Sequence, residues 1–186
     1  MKKIFILLIG IACFTTTYSQ KKDITLEEIW KENQFYPKSV RGFNSMNDGE
    51  HYSTMERVKD GQEIIKYKFK SGKKVRTLFK SADFEIPKVG RYTFSEDEKQ
   101  LLLATETEKI YRHSSKSVFY IYNVFTDKLK KLSDDKVMYA TFSPQGDKVA
   151  YVMDNNLFIQ NIRSGKVTEV TTDGEKNHVI NGASDW

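Results

Sequence analysis

The sequence is poor in the residues that most often carry chemistry or crosslinks. It holds one cysteine in 186 residues, and that one, Cys13, lies inside the N-terminal apolar run. Disulfides and thiol chemistry are therefore excluded from everything after that run. Three prolines and ten glycines exclude collagenous or linker-like sequence. The three histidines, His51, His113 and His178, stand far apart without partners at metal-ligand spacing, so neither a metal nor a cofactor is expected. No glycine-rich phosphate loop and no Gly-x-Ser-x-Gly nucleophile elbow occur. No catalytic residue is therefore assigned within these 186 positions.

Charge of one sign is also missing. The chain carries 30 Lys+Arg against 25 Asp+Glu, and only six of the basic residues are arginines scattered among acids. A nucleic-acid binder gathers its cations on one face, so no nucleic-acid partner is expected. Apolar residues at 39%, with 13% aromatics, exclude disorder as the main state. The one long apolar run, Ile4 to Phe14, is too short to span a bilayer.

That run has the form of an export signal. Met1-Lys2-Lys3 is positive, Ile4 to Phe14 is apolar, and Thr15 to Ser19 is small and polar. Cleavage after Ser19 would leave Gln20 first and lower the formal charge from +5 to +3. Cys13 is not read as a lipid anchor, because Gly10 stands where a leucine is expected three positions upstream. The protein is expected to be exported, to the periplasm or the cell surface.

Composition and pattern divide the chain into three regions: a signal over 1–19, a helical segment over 20–37, and a β-rich region over 38–186. Asp23 to Asn33 reads as a short helix, with Thr25 and Glu28 at capping-box spacing. Beyond Pro37, short β-like runs such as Ile64–Phe69, Val118–Val124 and Lys148–Met153 alternate with turn residues such as Lys59-Asp60-Gly61 and Arg163-Ser164-Gly165. The runs repeat, with Ser45, Ser95 and Ser143 marking units about 50 residues long. Four strands per unit at that period predict an all-β partial propeller: three four-stranded blades, with the start of a fourth at Val179–Trp186. Because closed propellers need roughly four to eight blades, the chain is expected to be the front of something longer.

One unit is irregular. Leu101 to Val124 is about ten residues longer than the matching span Val149 to Ile162, and the surplus falls in Ala104 to Lys116. Insertions on repeat scaffolds map to loops on one face, often the binding face. Within this one, Arg112 is the candidate binding residue, since a guanidinium fork fixes a carbonyl or carboxylate better than an ammonium does. The bland alternative pairs Arg112 with Glu106 or Glu108. His113 could titrate near neutrality, although a packed or solvated loop histidine is the commoner case. Tyr67, Tyr120 and Tyr122 sit at strand spacing and read as packing residues.

Several segments together resemble the N-terminal region of dipeptidyl peptidase IV, a serine exopeptidase of the prolyl oligopeptidase group. They are Ser45–Tyr52, Ile110–Ser114, Thr141–Pro144, Val149–Val152, Asn155–Ile159, Thr171–Gly174 and Asn181–Trp186. The Arg-His-Ser and Asn-Gly-x-x-Asp-Trp stretches are the more specific. The resemblance implies an eight-bladed propeller followed by a C-terminal α/β-hydrolase domain, with the helix before the propeller packing on that domain. It implies that Arg112 holds the substrate's peptide carbonyl, with His113 and Ser114 as supporting loop. The family's paired glutamates, which bind the substrate's free α-amino group, come after the Asp-Trp segment and so fall just past Trp186. The Ser-Asp-His triad belongs to the hydrolase domain, which this sequence does not contain.

The expected function is thus the propeller part of an exported dipeptidyl peptidase that removes X-Pro or X-Ala dipeptides from peptides with free N-termini. This part would gate and orient substrate, and the chain alone would be inactive. The resemblance also allows a homodimer of the full-length form. The alternative is a periplasmic propeller-repeat module that binds without catalysis.

Overall fold

A computed structural model describes residues 22–37 and 42–183. The expected export signal, and Ser184, Asp185 and Trp186 of the expected fourth blade, lie outside the described residues. The chain divides into two compact units, Met1–Val40 and Arg41–Trp186.

In the first unit the described residues form one helix, α1, over Leu26–Trp30, shorter than the Asp23–Asn33 read from periodicity. The capping box is present: the Glu28 amide donates to Thr25 Oγ1 (3.2 Å) and the Thr25 amide to a Glu28 carboxylate oxygen (3.1 Å). Lys22 also pairs with Glu28, and it is the first cause holding that carboxyl below its usual range. Past Lys31 the chain reaches Asn33 at φ 52°, a left-handed position that cannot continue the helix.

The second unit is strand and turn apart from one 3-10 turn at Ser81–Asp83. Strands β1 (Phe43–Ser45), β2 (His51–Val58), β3 (Gly61–Lys68) and β4 (Lys74–Lys80) form one antiparallel sheet in chain order. The next eight form a second sheet. It comprises a meander of β5 (Val89–Phe94), β6 (Gln100–Lys109), β7 (Ser115–Asn123) and β8 (Lys128–Lys131), then one of β9 (Val137–Phe142), β10 (Lys148–Met153), β11 (Asn156–Asn161) and β12 (Val167–Glu169). The four-stranded repeat thus takes the form of three meanders, called blades below, of which the second and third are joined through β7 and β9 into one eight-stranded sheet. Beyond β12 the described residues show only an isolated bridge between Glu175 and Val179.

The run Leu101-Leu102-Leu103-Ala104 shows why the blades stack. Alternate side chains of a strand point to opposite faces, so a strand buried on both faces reads as continuously apolar. Leu101 and Leu103 enter the core shared with Ile64, Leu78 and Phe79 of the first blade. Leu102 and Ala104 enter the core shared with Val137, Val149 and Tyr151 of the third. All four are 0–1% exposed, and burying each leucine contributes about 1.5–3 kcal/mol. Tyr122 is buried as a packing residue and Tyr120 packs against the same core. Tyr67 stacks on Tyr52. Tyr67 also donates to Glu56, a bond that pushes its phenol up to about 12. Between the first two blades Gln62 clamps Val89, its amide nitrogen donating to the Val89 carbonyl (2.9 Å) and its oxygen accepting from the Val89 amide (2.8 Å).

The turn joining the first two strands of each blade is the same structure three times. In the first, the Met46 amide donates to the His51 carbonyl and the Gly49 amide to the Met46 carbonyl. Ser95, Gln100 and Glu98 repeat that pattern, as do Ser143, Lys148 and Gly146. The equivalent of Ser95 and Ser143 is therefore Met46, and Ser45 is the last residue of β1. This moves the sequence repeat by one position in the first blade. The left-handed position is Gly49 (φ 67°), Glu98 (φ 55°) and Gly146 (φ 69°). Glu98 takes it at a cost that glycine avoids, and its carboxylate accepts from the Asn47 amide of the neighbouring blade (2.5 Å).

In the first turn Asp48 does the closing. Its carboxylate accepts from the Glu50 amide, the His51 amide, His51 Nδ1 (2.7 Å) and Lys66 Nζ (3.1 Å). Desolvation pushes its pKa up, but these four bonds outweigh that and hold it well below the ordinary range. A depressed folded value means that Asp48 contributes stability above the unfolded value of about 4, and loses it as pH falls through the folded value. Asp48→Asn is expected to destabilise by about 1 kcal/mol at neutral pH, after allowance for exposure. The deficit should shrink below about pH 4. Urea titrations at the two pH values check this, and a constant deficit would show that the charge is not involved.

Candidate functional site

The surplus residues of the second blade form a ribbon rather than a loop. Strands β6 and β7 pair in regular register from Gln100↔Asn123 to Thr105↔Val118, shift, and resume at Glu108↔Lys116 and Lys109↔Ser115. Ala104 and Thr105, read from the sequence as the start of an insertion, are 1% and 0% exposed members of the strand. The register shift sits at Glu106 (φ 48°) and Thr107, a bulge of the kind that bends a ribbon and re-aims the residues beyond it. Thr107 Oγ1 and Ser117 Oγ are 2.9 Å apart and tie the bulged strand to its partner.

The loop proper is Ile110 to Ser114. It is closed by the Ile110 and Tyr111 amides, which both donate to the Ser114 carbonyl (3.0 and 3.2 Å). Ser114 is buried at 3%, so it anchors the loop, whereas Ile110, Tyr111, Arg112 and His113 are exposed. The Arg112 guanidinium carbon lies 5.9 Å from the centre of the Tyr111 ring, a cation–π contact.

Neither acid proposed as its partner holds Arg112. Glu108 pairs with Lys116 (3.4 Å) and Lys136 (3.5 Å), and the hydrogen bond from Lys116 is the first cause lowering its pKa. Among the described residues no carboxylate forms an ion pair with Arg112, and no cation forms one with Glu106. The arrangement is a guanidinium displayed at the tip of a stiff ribbon, steadied by a ring. Its planar donors remain available for an external oxygen.

Beside the ribbon an open groove of about 900 Å³ is lined by Glu108, Ile110, Lys116, Lys136, Met138 and Val152. Among the described residues no three His, Cys, Asp or Glu side chains gather at metal-binding distance. His51 is engaged by Asp48, and His178 Nδ1 lies 3.4 Å from Glu175.

Residues 95–186, which include the ribbon and Arg112, match the family model of the dipeptidyl peptidase IV (DPP IV) N-terminal region. The chain carries a dipeptidyl peptidase IV N-terminal region. It is similar to the crystal structure of Porphyromonas gingivalis dipeptidyl peptidase 4, at 41% identity and a TM-score of 0.73. That match covers 89% of this chain and 24% of the other. Among curated proteins it is similar to the probable dipeptidyl-aminopeptidase B of Neurospora crassa, 28% identical over 193 residues, and to that of Phaeosphaeria nodorum, 31% over 199. Each of these two matches covers 92% of this chain and 20% of the relative. The chain thus spans about a fifth of the length of the curated relatives it matches. In this dipeptidyl peptidase IV N-terminal region the peptidase relationship rests on the whole run of blades, and the ribbon is the element that departs from the regular blade plan.

Proposed function

We propose that this region is the exported, substrate-orienting part of a serine peptidase that releases X-Pro or X-Ala dipeptides from peptides with free N-termini. Arg112 donates hydrogen bonds to the substrate's peptide carbonyl, while Ser114 fixes the loop and His113 flanks it. The bond-breaking groups belong to a C-terminal α/β-hydrolase domain, where a serine attacks the carbonyl and forms an acyl-enzyme. The observation that carries this reading is the guanidinium of Arg112, without an acidic partner among the described residues, at the tip of the β6–β7 ribbon and inside the segment that matches the family.

The physical logic is positional. A carbonyl held by a planar cationic fork loses rotational freedom before attack, and orientation of this kind lowers the barrier without any new bond. The ribbon's paired backbone supplies stiffness that a free loop of the same length lacks.

The test uses the complete protein isolated from the cell envelope. It is expected to release the chromophore from Gly-Pro-p-nitroanilide, to lose that activity to a serine-directed phosphonate, and to ignore the N-acetylated substrate. Its mature N-terminus is expected at Gln20. A complete protein that binds peptides but cleaves no X-Pro or X-Ala substrate would instead be the non-catalytic module.

A further inference from the structure

The three blades can be superposed residue by residue through their hydrogen bonds, which exposes a difference at the outer edge. Lys68, Asn123 and Asn161 are equivalent, since each pairs with the residue that closes its blade's first turn: His51, Gln100 and Lys148. The amides of Gly72, Asp127 and Gly165 return to their carbonyls in the same way. This register makes two further positions equivalent. Arg76, opposite Lys66 on β4, corresponds to Lys130, opposite Ile121 on β8. Phe125, two residues after Asn123, corresponds to Arg163, two after Asn161.

Between the first and second blades these positions attract. The Arg76 guanidinium carbon lies 5.5 Å from the centre of the Phe125 ring and bridges the seam. Between the second and third blades the same two positions are Lys130 and Arg163, both cations. They line an open cavity of about 910 Å³ that also receives Lys128 and has Ile121 and Ile162 on its walls. The one acid at its edge, Asp147, accepts from Ser143 Oγ (2.9 Å). Among the described residues no carboxylate pairs with Lys128, Lys130 or Arg163, although seven other lysines of the described residues do find acidic partners. The ammonium of Lys130 reaches into the turn at Gly165, where a Cβ would stand 2.7 Å from it.

We propose that this wedge binds an extended acidic peptide segment, one carboxylate lying between Lys130 and Arg163 and a second near Lys128. Like charges at the joint that a cation and a ring close elsewhere leave a deficit that an anion fills. The volume exceeds what a lone ion needs and falls within the range of sites for larger ligands. The apolar walls take an aliphatic side chain. Among the described residues strand β8 pairs on one side only, with β7, which leaves its other edge open to a peptide backbone. The site lies at the β7–β8, β9–β10 and β11–β12 turns, the opposite strand ends from the Ile110–Ser114 loop, and it is independent of the proposed peptidase activity.

The test is fluorescence anisotropy of a labelled, N-acetylated peptide of alternating glutamate and leucine, mixed with the intact protein. The N-acetyl group removes the free amine that a dipeptidyl peptidase needs. Binding is expected to weaken several-fold between about 0.05 and 0.15 M salt, since partly exposed charges are screened. The double variant Lys130→Arg, Arg163→Phe recreates the first seam and is expected to lose affinity by about tenfold or more. Lys130→Gln with Arg163→Gln should do the same if the first pair fails to fold. Equal binding by wild type and variants, or equal binding of a lysine–leucine peptide, would overturn the proposal. Dimerisation of the wild type that the variants abolish would also overturn it, by making a second copy the occupant.

Discussion

Arg112→Ala in the complete protein is expected to lower kcat/KM on an X-Pro chromogenic substrate by about 10- to 150-fold. That range corresponds to the roughly 1.5–3 kcal/mol carried by a hydrogen bond from a charged donor. The melting temperature should barely move, because the side chain is exposed and its one ring contact is with Tyr111. A surface substitution of that kind changes stability by about 0.5 kcal/mol at most. Arg112→Lys separates charge from geometry: an ammonium keeps the attraction but lacks the planar fork, so it should recover only part of the loss. If alanine leaves kcat/KM unchanged, the carbonyl-holding role is wrong even if the protein is a peptidase. Comparison of kcat with KM locates the interaction, since a contact made equally in ground and transition states raises KM alone.

Phe79→Ala is expected to be the most destabilising single truncation in the first blade, at about 3–5 kcal/mol. The side chain is 1% exposed. Its ring lies 5.8 Å from Phe84 and parallel to it, and 5.0 Å from Tyr122 at 75°. Although β4 is the outer strand of its blade, Phe79 fills the space between β3 and the second blade. Truncation therefore empties a joint between blades, and neighbours held on two separate meanders cannot collapse into it. The midpoint of thermal unfolding monitored by circular dichroism should fall by several degrees or more, at roughly 2–4 °C per kcal/mol for a chain of this size. Phe69→Ala, at a half-exposed aromatic of the same blade, is the comparison and should cost far less. Similar losses for the two would mean that the joint relaxes freely.

Much of the fold was legible because blades are local structures. Glycine turns and short β-like runs such as Ile64–Phe69, Val118–Val124 and Lys148–Met153 each report on a few neighbouring residues, and each marked a strand or turn that the structure contains. What failed depended on register. Ser45 looked like the partner of Ser95 because the residue type matched, but backbone bonds select Met46, and no local pattern distinguishes the two. Helix α1 was read too long because periodicity counts apolar positions and does not weigh the nucleation cost of a short helix. Residues 106–109 read as loop because a solvated ribbon has no apolar alternation to betray its strands. Arg112 was visible as a residue type in an insertion, whereas its lack of an acidic partner among the described residues was not, since Glu108 is taken by Lys116 and by Lys136, a residue of the next connection. The Lys130–Arg163 pair could not be read without the alignment of blades that hydrogen bonds provide.

Besides β6, strand β7 serves two further neighbours, pairing through Lys116 and Ser117 with β9 and through its last four residues with β8. The second and third blades are thereby spliced by main-chain bonds, while the first is attached through side chains such as Gln62, Asn47 and Phe79. Under tension the two joints are unequal: one is a weld, the other a set of rivets. If the arc flexes to widen or narrow the space at its centre, the bending falls between β4 and β5, and the ribbon bearing Arg112 swings with the third blade as one lever.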